Sequence, residues 1–326
     1  MRRIVVLLDG SAFAESALPL AATIAHRRGV RLDLVTVHRP FPVADLNVAA
    51  YAELDGQIRA EEEAYLAKQA AQVASSYDLR VTSALLDGEL VPALDAYIAA
   101  EPTDLVVLST HGRGGLKRLV LGSTADRLVR ELHVPLLLVR PGTPMPTTPP
   151  SEPSRILVPL DGSPLAESVL DQVVALFPPT STVLQLVHTV VPLELLAVPL
   201  GLPLPPMHGE PMTHILLAAQ RYLHGVAVRL REQGLKVHSE VVTHRSPAIA
   251  ILEYAREHHS EMIAIATRGL GGFDRLMVGS VADKVVRGAD IPVLVWNPPA
   301  GAASQLLQDA AGTREAKGGI GAGAGS

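Results

Sequence analysis

The chain contains one unit twice. Arg2–Ser16 reads RRIVVLLDGSAFAES and Ser154–Ser168 reads SRILVPLDGSPLAES, sharing RI, an apolar run, LDGS and AES at a constant offset. The far ends of the halves repeat as well. STHGRGGLKRLVLGSTADRLVRELHVPLLLVR starts at Ser109, and ATRGLGGFDRLMVGSVADKVVRGADIPVLVWN starts at Ala266. A match at both ends of both halves, in one order, makes the chain a duplicated domain. The division expected is a first domain over 1–140, a linker over 141–153, a second domain over 154–298 and a tail over 299–326. The linker reads PGTPMPTTPPSEP, Pro/Thr-rich and semi-extended. The Gly/Ala-rich tail is expected to be disordered.

Within each half, short β-rich runs alternate with longer helical periodicity, the pattern of βαβ units and a parallel sheet. Strands are predicted near Arg3–Leu8, Arg31–Val37, Arg80–Leu86, Leu105–Ser109 and Leu136–Val139. The second set falls near Arg155–Leu160, Thr182–His188, Lys236–Val242, Met262–Ala266 and Val293–Trp296. Helices are predicted near Ala12–Arg28, Ala50–Tyr77, Val91–Ala100 and Ser123–Glu131, then Pro164–Leu176, Thr213–Gln233, Pro247–His259 and Ser280–Gly288. Five strands and four helices per half make an α/β chain of two tandem, doubly wound five-stranded parallel sheets, with either common strand order open. Aromatic residues are only 3% of the chain, so Val, Leu, Ile and Ala must build the core. That suits strands buried on both faces.

Several function classes are excluded or disfavoured. With no cysteine there are no disulfides, thiolate metal sites or thiol nucleophiles. A net charge of −5 and few aromatic rings give no footprint for nucleic acid. The apolar stretch from Val190 to Met212 carries six prolines and reads as a loop rather than a membrane span. At the N-terminus Asp9 interrupts the apolar run after five residues, so MRRIVVLLDG reads as a first strand of a cytoplasmic protein. No G-x-x-x-x-G-K-[ST] or G-x-S-x-G string occurs, and no G-x-G-x-x-G follows either first strand.

In open parallel sheets ligands bind beyond the carboxyl ends of the strands, where the strand order reverses. Asp9-Gly10-Ser11 and Asp161-Gly162-Ser163 follow the first strand of each half. Thr110-His111-Gly112-Arg113-Gly114-Gly115 and Thr267-Arg268-Gly269-Leu270-Gly271-Gly272 follow the fourth. Gly122-Ser123 and Gly279-Ser280 open the last helices. Glycines admit phosphate oxygens to backbone N–H groups, and a Gly-Ser helix start adds a hydroxyl and the positive helix end. A carboxylate after the first strand can accept from a ribose hydroxyl or an adenine amine. Read alone, Asp-Gly-Ser is also an ordinary turn in which Ser11 or Ser163 caps the next helix. His111 has no counterpart in the second half, where Arg268 stands, so it reads as a loop histidine. Glu61-Glu62-Glu63 reads as a solvated helix face.

A first strand ending in Asp, followed after the fourth strand by G-x(2)-G-x(9)-G-[ST], resembles the universal stress protein family over nearly all of 1–140 and 154–297. The resemblance implies a Rossmann-like, adenine nucleotide α-hydrolase-like fold that binds ATP. Asp9 and Asp161 match the adenosine-contacting aspartate, and Val37 and Thr189 match a backbone contact to adenine. Gly112 and Gly269 match the second loop glycine. Gly122-Ser123 and Gly279-Ser280, with Thr124 and Val281 after them, match the phosphate-binding stretch. The first motif glycine is replaced by Ser109 and Ala266. Arg113, Lys117 and Arg118 make the first loop basic, whereas Asp274 offsets Arg275 in the second. The family pairs through its last strand, so the halves are expected to pack as a pseudo-dimer through PLLLV and PVLVW, with homodimerisation of the whole chain open. The implied function is an ATP-binding stress-response sensor or switch. Mg²⁺ fits as a phosphate-bridging ion, and hydrolysis is expected to be slow at most. No catalytic residue and no dedicated metal ligands are assigned. The alternative is an interaction module of the same fold without ATP. An adenylyl transferase would need a His-x-x-His-type loop where Asp-Gly-Ser stands.

Overall fold

The computed structural model describes residues 2–40, 48–110, 121–142, 154–192, 210–267 and 279–299. In the first half β1 (Arg3–Leu7), α1 (Ala12–Glu15), α2 (Leu18–Arg28), β2 (Arg31–His38), α3 (Val48–Tyr77) and β3 (Val81–Asp87) are followed by α4 (Leu90–Ala100), β4 (Leu105–Ser109), α5 (Ser123–Glu131) and β5 (Leu136–Val139). The second half repeats the order. It runs β6 (Ser154–Pro159), α6 (Pro164–Leu176), β7 (Thr182–Val190), α7 (Glu210–Glu232), β8 (Lys236–Thr243), α8 (Pro247–Glu257), β9 (Met262–Ala266), α9 (Ser280–Gly288) and β10 (Val293–Trp296). One helix departs from expectation. Ala12–Arg28 breaks near Ser16, because Pro19 has no N–H for the Glu15 carbonyl and its ring crowds it. The reading of Val190–Met212 as a loop also needs trimming, since β7 reaches Val190 and α7 begins at Glu210. Most of that stretch, the bulk of the expected linker and nearly all of the tail lie outside the described residues.

The strands form one sheet in the order β3-β2-β1-β4-β5-β10-β9-β6-β7-β8. Each half has the order 3-2-1-4-5, all parallel, so the order reverses between its first and fourth strands. Apolar residues run continuously along the central strands β1, β4, β5, β9 and β10. Ile4 and Val6 face one helical layer while Val5 and Leu7 face the other. Both cores contain residues of both halves, because β5 and β10 pair antiparallel with Leu137 opposite Leu294. Buried Asn297 donates to the carbonyls of Arg130 and Leu132 (3.0 and 3.3 Å), and Arg140 donates across the seam to the carbonyl of Arg287 (2.7 Å).

At the amino end of the first sheet Arg3 and Asp33 form an ion pair of 2.9 Å with side chains only 2% and 0% exposed. Arg31, Thr82 and Tyr97 also bond Asp33. Burial pushes the Asp33 carboxyl up, but these bonds outweigh it and hold it below the usual carboxylate range. The second half places Gln185 here, bonded to Ser260 and the His258 carbonyl.

Candidate functional site

Each half brings the carboxyl ends of its first and fourth strands side by side. In the first half Val6 lies opposite Val107, so Asp9 and Thr110 emerge from neighbouring strands. The Asp9 Oδ1 accepts from the Ser11 N–H (3.0 Å) and hydroxyl (2.6 Å), and the Ser11 Oγ accepts from the Ala14 N–H at the start of α1. Asp161 and Ser163 repeat this arrangement at 2.9 and 2.6 Å. Gly10 and Gly162 make the turn with φ of 79° and 86°, a region that glycine enters without steric cost. The capped-turn reading of Asp-Gly-Ser is therefore structurally real in both halves, whatever further role the carboxylates have.

Across from each aspartate a helix begins. The Gly122 N–H donates to the Thr110 carbonyl (2.9 Å), and a Cβ at Gly122 would lie 3.0 Å from that oxygen. A side chain would have to push that carbonyl back by a few tenths of an ångström, so glycine serves close approach here and not a special φ, its value of −59° being ordinary. The Thr110 N–H donates in turn to Val139 on β5, which fixes the approach to the sheet. Ser123 and Thr124 stand exposed in the first turn of α5, where backbone N–H groups have no intrahelical partner. Gly279 bonds Thr267 in the same way, with Ser280 exposed and Val281 half-buried in α9. The set fits a phosphate: a side-chain-free approach, a hydroxyl and the positive end of a helix. Gly112, Arg113 and Gly269 lie outside the described residues.

The second strands supply a third wall, and here the halves differ. Val37 pairs with Leu86 and Thr189 with Val242, each one residue before its strand ends. Before Val37, Thr36 donates to the Leu8 carbonyl (3.0 Å). The matching residue in the second half is His188. Burial pulls its pKa down, opposed by a hydrogen bond with the Leu160 backbone. Among the described residues its Nδ1 and the Thr189 hydroxyl are buried without a hydrogen-bond partner, while the buried Tyr222 hydroxyl is within reach of the Glu167 carboxylate. Tyr222 meets the His188 ring edge-on at 6.0 Å. Burial first, then the Glu167 charge, raises the Tyr222 pKa above the ordinary tyrosine range.

After Val37 comes His38, 1% exposed, with Nδ1 2.7 Å from Glu62 and Nε2 3.0 Å from Asp55. Burial lowers the imidazole pKa, but the two carboxylates of α3 outweigh it and the net shift is upward. Glu62 thus departs from the expected solvated face. The sequence offered one signal for it, a histidine closing an apolar strand, but nothing placed that strand end against α3. Among the described residues no group of three or more His, Asp or Glu is placed to hold a metal ion, and no helix is long and apolar enough to cross a membrane.

Two tandem doubly wound domains, each with an aspartate and a glycine-led helix start at its switch point, define a class of tandem Rossmann-like α/β proteins. The chain belongs to the universal stress protein family, whose model matches residues 1–140 and again 153–297. A universal stress protein of Mycobacterium tuberculosis is 31% identical over 317 residues, covering 91% of this chain and 95% of the relative. A second from that organism is 29% identical over 301 residues, covering 90% and 96%. Among solved structures, a universal stress protein of Archaeoglobus fulgidus superposes with a TM-score of 0.61 at 18% identity, covering 92% of this chain and 97% of that one. A Pseudomonas aeruginosa structure described as a putative universal stress protein gives 0.58 at 18% identity, covering 95% and 98%. Both likenesses speak to the fold.

Proposed function

We propose that the chain is an ATP-binding universal stress protein that acts as a sensor or switch and not as a dedicated enzyme. The observation that carries this reading is the close approach of Gly122 to Thr110, with Ser123 and Thr124 exposed behind it, repeated at Gly279 and Ser280. In this reading Asp9 and Asp161 receive the ribose, and the backbone at Val37 and Thr189 meets adenine. Gly112, Arg113 and Gly269, with the helix starts at Gly122-Ser123-Thr124 and Gly279-Ser280-Val281, hold phosphates. Bound ATP would bring negative charge to the basic residues that follow β4, and Mg²⁺ would bridge its phosphates. No described side chain stands out as a base for water, which favours slow turnover at most. The two halves work as a pseudo-dimer in the cytoplasm, with no nucleic acid or membrane partner.

Calorimetric titration of the full chain with ATP and Mg²⁺ tests the reading. Two sites per chain support it in both halves. One site, lost in Ser123→Ala and kept in Ser280→Ala, supports a first half favoured by its basic loop. No binding by folded, nucleotide-free protein sinks it. The second reading would then stand, an interaction module without ATP. Ser109 and Ala266 at the first motif glycine favour that alternative, as does the complete internal use of each Asp Oδ1 in its own turn.

A further inference from the structure

A cavity of about 490 Å³ lies where the first half meets the second, within the size range of small-molecule sites. One wall is a single face of α2, formed by Leu20, Thr23, Ile24 and Arg27 at successive turns. The facing wall comes from the second half: the amino ends of β6, β9 and β10 and the end of α6, with Met262 and Phe177 among its apolar residues. This is the opposite end of those strands from Asp161 and Gly279. Arg28 fixes the wall by donating to the Leu176 and Val174 carbonyls at the end of α6 (2.8 and 3.1 Å).

The chemistry of the lining narrows the ligand. Most hydroxyls on the walls are already used: Thr23 donates to Pro19, Ser181 and Thr182 to Pro178 and Ser260 to Gln185. The interior therefore offers an apolar body little besides hydrocarbon. The charged groups include Arg27, half-buried and without a hydrogen bond or ion pair to another described residue. Asp290 is held by Arg140 and Arg256, at 3.3 and 3.0 Å. The other charged lining residues, Glu261 and Asp290, are exposed, so Arg27 is the half-buried charge on the cavity wall.

We propose that this cavity is a second ligand site, independent of the nucleotide reading, for a small amphiphile with an apolar body and one anionic end, of the fatty-carboxylate type. The apolar body fills the space between α2 and the second sheet, and the carboxylate meets Arg27. A ligand there touches both halves at once, so it favours the packing of one against the other.

The test uses the full chain without nucleotide, titrated with decanoate and, separately, with decanol. The expected result is saturable binding of one decanoate per chain. Leu20→Trp, which fills the cavity from α2, abolishes it while circular dichroism stays native. If that variant does not fold, Thr23→Leu serves as the plug. Arg27→Ala weakens decanoate by about fivefold and leaves decanol unchanged, the size expected of one partly exposed ion pair. Unsaturable decanoate binding, or saturable binding that survives the plug, overturns the site. Equal effects of Arg27→Ala on decanoate and decanol overturn the anionic end.

Discussion

Asp33 and His38 sit at opposite ends of β2, and each carries a charge into the interior with the opposite pH consequence. Asp33 is held below its ordinary pKa, so its contribution to stability is present above about pH 3.9 and is lost as pH falls through the folded value. Asp33→Asn leaves buried Arg3 with only the longer, half-exposed pair to Glu101 and is expected to cost about 3 kcal/mol at neutral pH. The variant should also flatten the loss of stability in acid. Urea unfolding across a pH series checks both, and a variant as acid-sensitive as the parent would exclude Asp33 as the source. His38 is shifted upward, so its bonds to Glu62 and Asp55 stabilise fully below about pH 6.5 and fade as pH rises through the folded value. His38→Gln should remove that decline, seen as a flatter pH dependence of the thermal midpoint on the alkaline side. A slope unchanged from the parent would put the proton elsewhere. Neither network was legible in the sequence. Asp33 in RLDLVTV and His38 at its end look like isolated polar residues until the strand order sets Arg3 and Thr82 beside one and α3 over the other.

At the scale of elements, periodicity and punctuation were sufficient. The fourth and fifth strands of each half fall where their apolar runs predicted, because β-branched and leucine runs bounded by turns leave one placement. The break between α1 and α2 shows what a pattern alone conceals. The helical spacing continues through Pro19, but the backbone bond does not. The same contrast governs the two serine caps. Ser11 caps a helix of 4 residues that restarts at Leu18, whereas the fully buried Ser163 caps an uninterrupted helix of 13 residues. Ser163→Ala should lower stability by about 1 kcal/mol, and Ser11→Ala by less. Denaturant midpoints with unchanged slopes would register the difference, and a larger loss at Ser11 would contradict it. The candidate site was legible as a set of strand-end residues, because switch-point chemistry follows from topology. The difference between halves at its third wall was not. That Thr36 bonds a neighbouring carbonyl while the His188 Nδ1 is buried with no partner among the described residues depends on packing from α7, which spacing cannot convey.

For the whole molecule, the question is whether two copies of one domain behave as one body. Four-residue strands alone would make a weak junction, yet β5 and β10 carry buried apolar residues on both faces, and both cores continue across them. The polar bonds at the rim follow the internal symmetry. Arg140 follows β5 and reaches Arg287 on α9, while Asn297 follows β10 and reaches Arg130 on α5. The pairing therefore has a distributed, roughly two-fold basis, and the chain should unfold in a single transition. The lone tryptophan, Trp296, lies on β10 at the seam and reports there without labelling. In the parent protein its fluorescence and the far-ultraviolet circular dichroism should change together in urea. Removing the rim bonds of both side chains in the double variant Arg140→Ala, Asn297→Ala should shift the Trp296 transition to lower urea than the backbone signal. Each lost bond leaves carbonyls at the seam unsatisfied, at about 1–3 kcal/mol apiece. If the two signals stay coincident in the variant, the apolar strand pairing, with the Arg28 and Arg287–Asp126 bonds that remain, holds the halves as one cooperative unit. If they already part in the parent, the duplicated domains fold independently, and a signal between sites would have to travel by another route than the seam.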